Sequence, residues 1–129
     1  MGEPRGIAEF PDIAGIEIQR GQHGLETHKP GSVGFGGNSG FHAVNLALQW
    51  GARRIVLVGF DYSLAKGVHW HGRHGGKLNN PTELVVRKWR QRLDAAAPTL
   101  ARLGIEVFNT SATSALTAYP YRPLSEAIQ

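Results

Sequence analysis

The segment from Asn38 to Tyr62 constrains the fold of this chain more than any other part of the sequence. Asn38 and Ser39 are good helix N-caps, the stretch FHAVNLALQWGA follows them, and Gly51 is a good C-terminal stop. The apolar run 54–60 begins almost at once. A continuous run of branched apolar residues is typical of a parallel strand buried on both faces. The segment therefore predicts a helix followed by a central parallel strand.

Apolar residues cover most of the predicted helix and leave only a narrow polar stripe. The stripe consists of His42, Asn45 and Gln49, at spacing i, i+3 and i+7. Because so little of its surface is polar, we expect the helix to be mostly buried, including Trp50.

The second half of the chain repeats the order helix, then strand. A Pro-Thr pair at 81–82 opens a helix whose apolar face carries Val85 or Val86, Trp89, Leu93 and Ala96. Pro98 should kink or restart this helix. Residues 105–108 predict another strand, and residues 123–129 predict a last helical turn or two. This order predicts an α/β fold with parallel strands and right-handed crossovers.

The remaining segments complete a single domain over residues 1–129. Residues 1–15 are predicted to be irregular, and residues 15–20 alternate apolar and polar side chains, which predicts a short, half-exposed strand. Residues 21–37 and 63–81 are predicted to be long loops. Loops of this length in a small domain are usually functional or partly mobile.

The composition of the chain limits the classes of function that it can have. The chain has no cysteine, so it forms neither disulfides nor thiolate metal sites, and this fits a reducing compartment such as the cytoplasm. No apolar run is long enough to cross a bilayer. The formal charge of +4 permits an anionic ligand but does not argue for nucleic acid. On a helix, the basic run 87–92 is best interpreted as a solvated face.

The first candidate site is the Gly-rich stretch 31–40 at the start of the predicted helix. Free backbone N–H groups at a helix N-terminus, with small residues allowing close approach, favour a phosphate. Asn38, Ser39 and Gly40 would form this site. The spacing matches neither the P-loop nor the dinucleotide motif. A flexible linker leading into a capped helix is the alternative interpretation.

The second candidate site follows the predicted strand. Ligands of open α/β sheets bind beyond the carboxyl ends of the strands, where this chain places Gly59, Asp61 and Tyr62. Asp61 could accept from a sugar hydroxyl, bind a metal or act as a base, or it could simply cap a loop. Asn109 and Ser111 follow the last clear strand, and we expect them to face the same site.

The third candidate is the loop GVHWHGRHGGKLNNP, which carries His69, His71 and His74. Three imidazoles with Asp61 could hold zinc, but His-x-His-x-x-His in a loop is not an established ligand spacing. Histidine also contacts phosphates and moves protons near neutral pH. A structural polar loop is the third possibility, and a metal site is the least favoured of the functional ones.

The stretch NSGFHAVNLALQWGARRIVLVGFDY resembles the core motif of a Rossmann-like superfamily. Its members include the MptE-like hydroxymethylpterin pyrophosphokinase domain, the motility-accessory glycosyltransferases and a branch of bacterial sialyltransferases. The later pieces HWHGRH, LNNP, GIEVFNTS and SALTAYP are similar to small phage- and prophage-encoded members without an established activity.

The resemblance implies a three-layer Rossmann-like domain with a short, mainly parallel sheet. It also implies that Ser39 and Gly40 contact the nucleotide of a CMP-sugar, and that residues 59–62 line the donor pocket. Superfamily members usually begin with a further strand–helix half. The chain is therefore expected to be the C-terminal part of a larger fold, and to form a homodimer or be completed by another chain.

These observations lead to three functional hypotheses. The first is a domain that binds a nucleotide or nucleotide-sugar, with glycosyl or phosphoryl transfer if it is an enzyme and a histidine as acid or base. The second is a non-enzymatic, phage-type accessory or interaction module with an incomplete pocket. The third is a metal-dependent hydrolase with histidine ligands.

Overall fold

The structure is a computed structural model that describes Asp12 and residues 14–68, 72–76 and 78–129. Both strand pairs that it contains are parallel, β1 with β2 and β3 with β4. The chain is therefore a mixed α/β protein with short parallel sheets, as the order of elements predicted. In chain order the elements are β1 (Glu17–Gln19), β2 (Ser32–Gly34), α1 (Ser39–Gln49), β3 (Arg54–Leu57), α2 (Glu83–Arg102), β4 (Glu106–Asn109) and α3 (Leu124–Ala127).

Strand β2 lies inside the segment 21–37, so the prediction of one long loop there is wrong. All three residues of β2 are buried. The side chain of Gln19 in β1 donates to the hydroxyl of Ser32 in β2 at 2.7 Å. A Gly-rich stretch carries too few side chains to show the alternation of a strand. This stretch is a strand because it pairs with β1, which is distant in the sequence.

Helix α1 has both of the ends that the sequence predicted. The Oδ1 of Asn38 accepts from the backbone N–H of Phe41 at 3.0 Å, which caps the first turn. Gly51 follows the helix with a φ of 81°, a left-handed conformation in which glycine ends helices at low cost.

The polar stripe of α1 faces inward, because it binds the backbone around β2. The fully buried Asn45 accepts from the N–H groups of Glu26 at 2.8 Å and Gly34 at 3.0 Å, and it donates to the Glu26 carbonyl at 2.8 Å. Gln49, one turn further on, donates to a carbonyl of β2 at 2.6 Å. Trp50 is left 80 % exposed, so the expectation that it is buried is wrong.

Strand β3 is less buried than its apolar run predicted. It ends at Leu57, and Val58 is already 58 % exposed. Among the described residues its strand partner is β4, in a register that runs from Arg54 with Glu106 to Leu57 with Asn109. The prediction of a central strand buried on both faces is therefore wrong. An apolar run indicates a strand but does not determine how many neighbours it has.

Helix α2 continues through Pro98, so of the two predicted outcomes, a kink or a restart, the restart is wrong. Leu93 and Leu100 lie on either side of the proline and are fully buried, and this burial offsets the cost of the missing N–H. Thr82 caps the helix, as expected from the sequence. One core joins α1 and α2 to β3 and β4: Leu25, Phe41, Val44, Leu57, Leu93, Ala96, Leu100, Val107, Leu116 and Tyr119. Within the described ranges, no helix is both long and apolar enough to span a membrane.

Candidate functional site

An open cleft of about 960 Å³ lies where the start of α1, the residues after β3 and the loop before α2 meet. This location is the one that parallel α/β structures commonly use for ligands. The structure brings seven of the predicted site residues together in its lining: Asn38, Ser39, Gly40, Gly59, Asp61, Tyr62 and His74.

Tyr62 ties the residues after β3 to the start of α1. Its hydroxyl donates to the Oδ1 of Asn38 at 2.9 Å, and the same oxygen accepts from the N–H of Phe41. A Cβ atom on Gly40 would lie 3.1 Å from the Tyr62 hydroxyl and 3.0 Å from the Phe60 ring. The absence of a side chain at Gly40 therefore permits the close approach of the two segments.

The backbone of Tyr62 is in the left-handed region, with a φ of 49°. Non-glycine residues adopt this conformation at a cost of about 1 kcal/mol or more, and such strained residues cluster at functional sites. Burial raises the pKa of the Tyr62 phenol to about 12. The hydroxyl therefore remains a donor at neutral pH.

The amide nitrogen of Asn38 is buried and has no hydrogen-bond partner within the described part of the chain. The orientation of this amide is determined by its oxygen, which accepts from both Phe41 and Tyr62. Rotating the amide would aim its N–H groups at the backbone N–H of Phe41, which can only donate. Buried donors are nearly always satisfied in native proteins, so this nitrogen is an exception among the described residues.

The Asp61 side chain is exposed at the carboxyl end of the β3 segment, and the turn after β4 holds it there. The hydroxyl of Ser111 donates to its Oδ1, and the N–H of Ala115 donates to its backbone carbonyl at 2.8 Å. Beside it, the hydroxyl of Ser114 donates to the carbonyl of Phe60 at 2.6 Å. These contacts place the acidic side chain at the wall of the cleft.

Asn109 and Ser111, both predicted to follow the last strand and face the site, lie outside the cleft lining, and Asn109 is itself the last residue of β4. Asn109 is 3 % exposed, and its Oδ1 accepts from the N–H of Ser111 at 3.0 Å. Ser111 reaches the site through its contact with Asp61. The structure thus gives both residues a supporting position.

Of the three loop histidines, the structure describes His74, whereas His69 and His71 lie outside the described residues. The His74 backbone is paired with the side chain of Asn80, N–H to Oδ1 at 2.8 Å and Nδ2 to carbonyl at 3.0 Å. This contact joins two positions of the same loop, and both residues line the cleft. The described ranges contain no group of three or more His, Asp or Glu side chains that could hold a metal ion.

The cleft lining also contains Lys66 and Trp89, which the sequence did not mark as functional, and Phe60, which the resemblance places in the donor pocket. Lys66 supplies a cation, and Phe60 and Trp89 supply aromatic surface. The rings of Phe60 and Tyr62 lie 5.8 Å apart. The periodicity of α2 predicts Trp89 to be a core residue, but Trp89 lines the cleft. Periodicity alone does not distinguish the core face of a helix from the edge of a cleft.

Comparison of the chain with protein-family models, with curated proteins and with solved structures found no match.

Proposed function

We propose that the cleft binds a nucleotide or a nucleotide-sugar, with a CMP-type ligand as the first candidate. The observation that carries the proposal is the meeting of two elements in one cleft: the start of α1 at Asn38 and the carboxyl end of the β3 segment at Asp61. The first N–H groups of an α-helix have no acceptor within the helix and favour an anionic ligand. The nearby carboxylate is suited to a sugar hydroxyl.

The other groups of the cleft fit the parts of such a ligand. Lys66 can offset phosphate charge, because it lines the same cleft as the start of α1. The exposed parts of Phe60 and Trp89 offer apolar surface for a base. A volume of about 960 Å³ suits a ligand of nucleotide-sugar size.

The same proposal includes a Rossmann-like three-layer relationship and, if the protein is an enzyme, transfer of a glycosyl or phosphoryl group. His74 is then the first candidate for the acid or base, because it lines the cleft together with Asp61. His69 and His71 remain candidates for the same role. A second copy of the chain, or another chain, would supply any part of the pocket that this domain lacks.

Calorimetry with CMP, CDP, UDP and GDP tests the binding proposal. We expect saturable heat and a raised Tm with at least one of them. We also expect about tenfold weaker binding after Ser39→Leu, which places a bulky side chain at the exposed start of α1. Ser125→Leu, at an exposed serine of α3, is the matched control. No heat and no thermal shift with any of the four nucleotides would contradict the proposal.

Turnover separates an enzyme from a binding module. Release of CMP from a CMP-sugar, lost in His74→Gln while CMP still binds, would support a transferase. Binding without turnover would favour the accessory module. Elemental analysis of untagged protein tests the metal-hydrolase hypothesis, which requires stoichiometric metal.

A further inference from the structure

We propose that Ser111 positions the carboxylate of Asp61, and that this pair makes the cleft prefer a ribonucleotide to its deoxy analogues. The inference rests on the proposed nucleotide binding and deepens it. The sequence predicts that Ser111 faces the ligand site, whereas this inference assigns it a positioning role that acts through Asp61.

The two oxygens of the Asp61 carboxylate have different environments. Oδ1 accepts the hydroxyl of Ser111, whereas no hydrogen bond from the described residues reaches Oδ2. Asp61 lines the cleft, and Ser111 lies outside its lining. One oxygen is therefore anchored to the protein, and the other remains available to a donor in the cleft.

Ser111 is itself held by its neighbours on the buried side. Its N–H donates to the Oδ1 of Asn109, a side chain only 3 % exposed, in an Asx-type turn. The preceding residue, Thr110, donates through its N–H to the Leu57 carbonyl at 3.0 Å, which joins the turn to the end of β3. The Ser111 hydroxyl thus belongs to a turn that is hydrogen-bonded to the last residues of β3 and β4.

This support matters because an exposed aspartate otherwise samples several rotamers. A ligand that binds a mobile side chain loses affinity to the entropy of ordering it, and a preorganised side chain avoids much of that loss. The Ser111 contact orders Asp61 before any ligand arrives. Without this contact the carboxylate remains in the cleft but is no longer held in one orientation.

The partner of Oδ2 must be a hydrogen-bond donor, because an ionised carboxylate only accepts. On a nucleotide, the donors nearest the phosphate groups are the ribose hydroxyls. Phosphate at the start of α1 would bring the ribose towards Asp61, because both lie in the same cleft. Hydrogen bonds to a charged acceptor are strong enough to give about tenfold discrimination.

The test compares the tightest-binding of CMP, CDP, UDP and GDP with its 2′-deoxy and 3′-deoxy analogues by calorimetry. We expect wild-type protein to prefer the ribonucleotide over at least one analogue by about tenfold. Asp61→Asn and Ser111→Ala should both reduce the preference to about threefold or less, with little change in the affinity for that analogue. Ser111→Thr keeps the hydroxyl and should therefore retain the wild-type ratio of affinities for the ribonucleotide and its deoxy analogue.

Ser114→Ala is the matched control, because it removes a hydroxyl from the same turn that bonds the Phe60 carbonyl rather than Asp61. It should leave the ratio unchanged even if it lowers Tm. Equal reductions in Ser114→Ala and Ser111→Ala would indicate general loosening and overturn the role of Ser111. An unchanged ratio in Ser111→Ala would also overturn the role of Ser111.

The outcomes separate this inference from the proposed function. Ribonucleotide binding without any preference over either deoxy analogue overturns the inference and leaves nucleotide binding standing. Absence of binding by all four ribonucleotides overturns the proposed function and this inference with it.

Discussion

The hydroxyl of Tyr62 donates to the side-chain oxygen of Asn38 across 2.9 Å, and the two residues are 24 positions apart in the chain. The same Asn38 oxygen accepts from the N–H of Phe41, so one atom both caps α1 and binds the segment that follows β3. The start of a helix and the end of a strand thereby become two walls of one cleft, and the Asn38 amide is held in a single orientation.

The first prediction concerns alkaline pH. Burial raises the pKa of Tyr62 from 10.0 to about 12, and the pKa of Tyr119 is also raised, with burial as the main cause. Above pH 10 the unfolded chain releases these protons while the folded chain retains them. The stabilisation is therefore fully present below pH 10 and is lost as the pH rises towards 12.

Thermal melts across this range measure the effect. Tyr62→Phe should show a shallower fall in Tm between pH 10 and pH 12 than wild-type protein. At neutral pH the variant should lose about 1 kcal/mol of stability, because Asn38 then keeps one donor instead of two. The same fall in Tm with pH for variant and wild type would show that Tyr62 is not the group responsible.

The second prediction concerns the buried amide of Asn45. Asn45→Leu should lower the free energy of unfolding by about 3 kcal/mol, because the N–H groups of Glu26 and Gly34 lose their acceptor in the interior. Gln91→Leu makes the same type of change at an exposed position of α2 and should cost little. Urea denaturation measures both, and similar losses in the two variants would contradict this account of the helix face.

The third prediction concerns the Gly-rich segment. A Cβ atom on Gly34 would lie 1.7 Å from the carbonyl oxygen of Gly24, and no side-chain rotation can relieve a clash with backbone. Gly34→Ala should therefore lower the free energy of unfolding by about 3 kcal/mol or more. Gly21→Ala, where nothing lies within 4 Å of the added atom, is the control. Equal stability of the two variants would argue against β2 as described.

The fourth prediction tests Lys66 as the cation of the cleft. Lys66→Gln should weaken the binding of the tightest of the four nucleotides by about fivefold at low salt. The difference from wild type should shrink as salt is added, since exposed charges are screened. Lys88→Gln removes a lysine of α2 that does not line the cleft and should have no such effect. A salt-independent loss would point to packing rather than charge.

Much of the local structure could be predicted from the sequence. The caps of α1 at Asn38 and Gly51 lie where the side chains indicated, because a cap depends on residues within one turn of each other. The face of α2 that carries Leu93 and Ala96 is buried as its periodicity predicted. Strand β2 could not be predicted in this way, because its pairing partner lies in another part of the chain.

The sequence by itself determined the order α1, β3, α2 and β4, the ends of α1, and the candidate groups Asn38, Asp61 and His74. The tertiary structure decided that these groups share one cleft and that the polar stripe of α1 faces β2. It also decided that Ser111 supports Asp61, although 50 positions separate them. The physical reason is the separation along the sequence between the residues that interact. Caps and periodicity arise from neighbours within a few residues. Strand pairing and buried hydrogen bonds join distant residues that only the folded chain brings together.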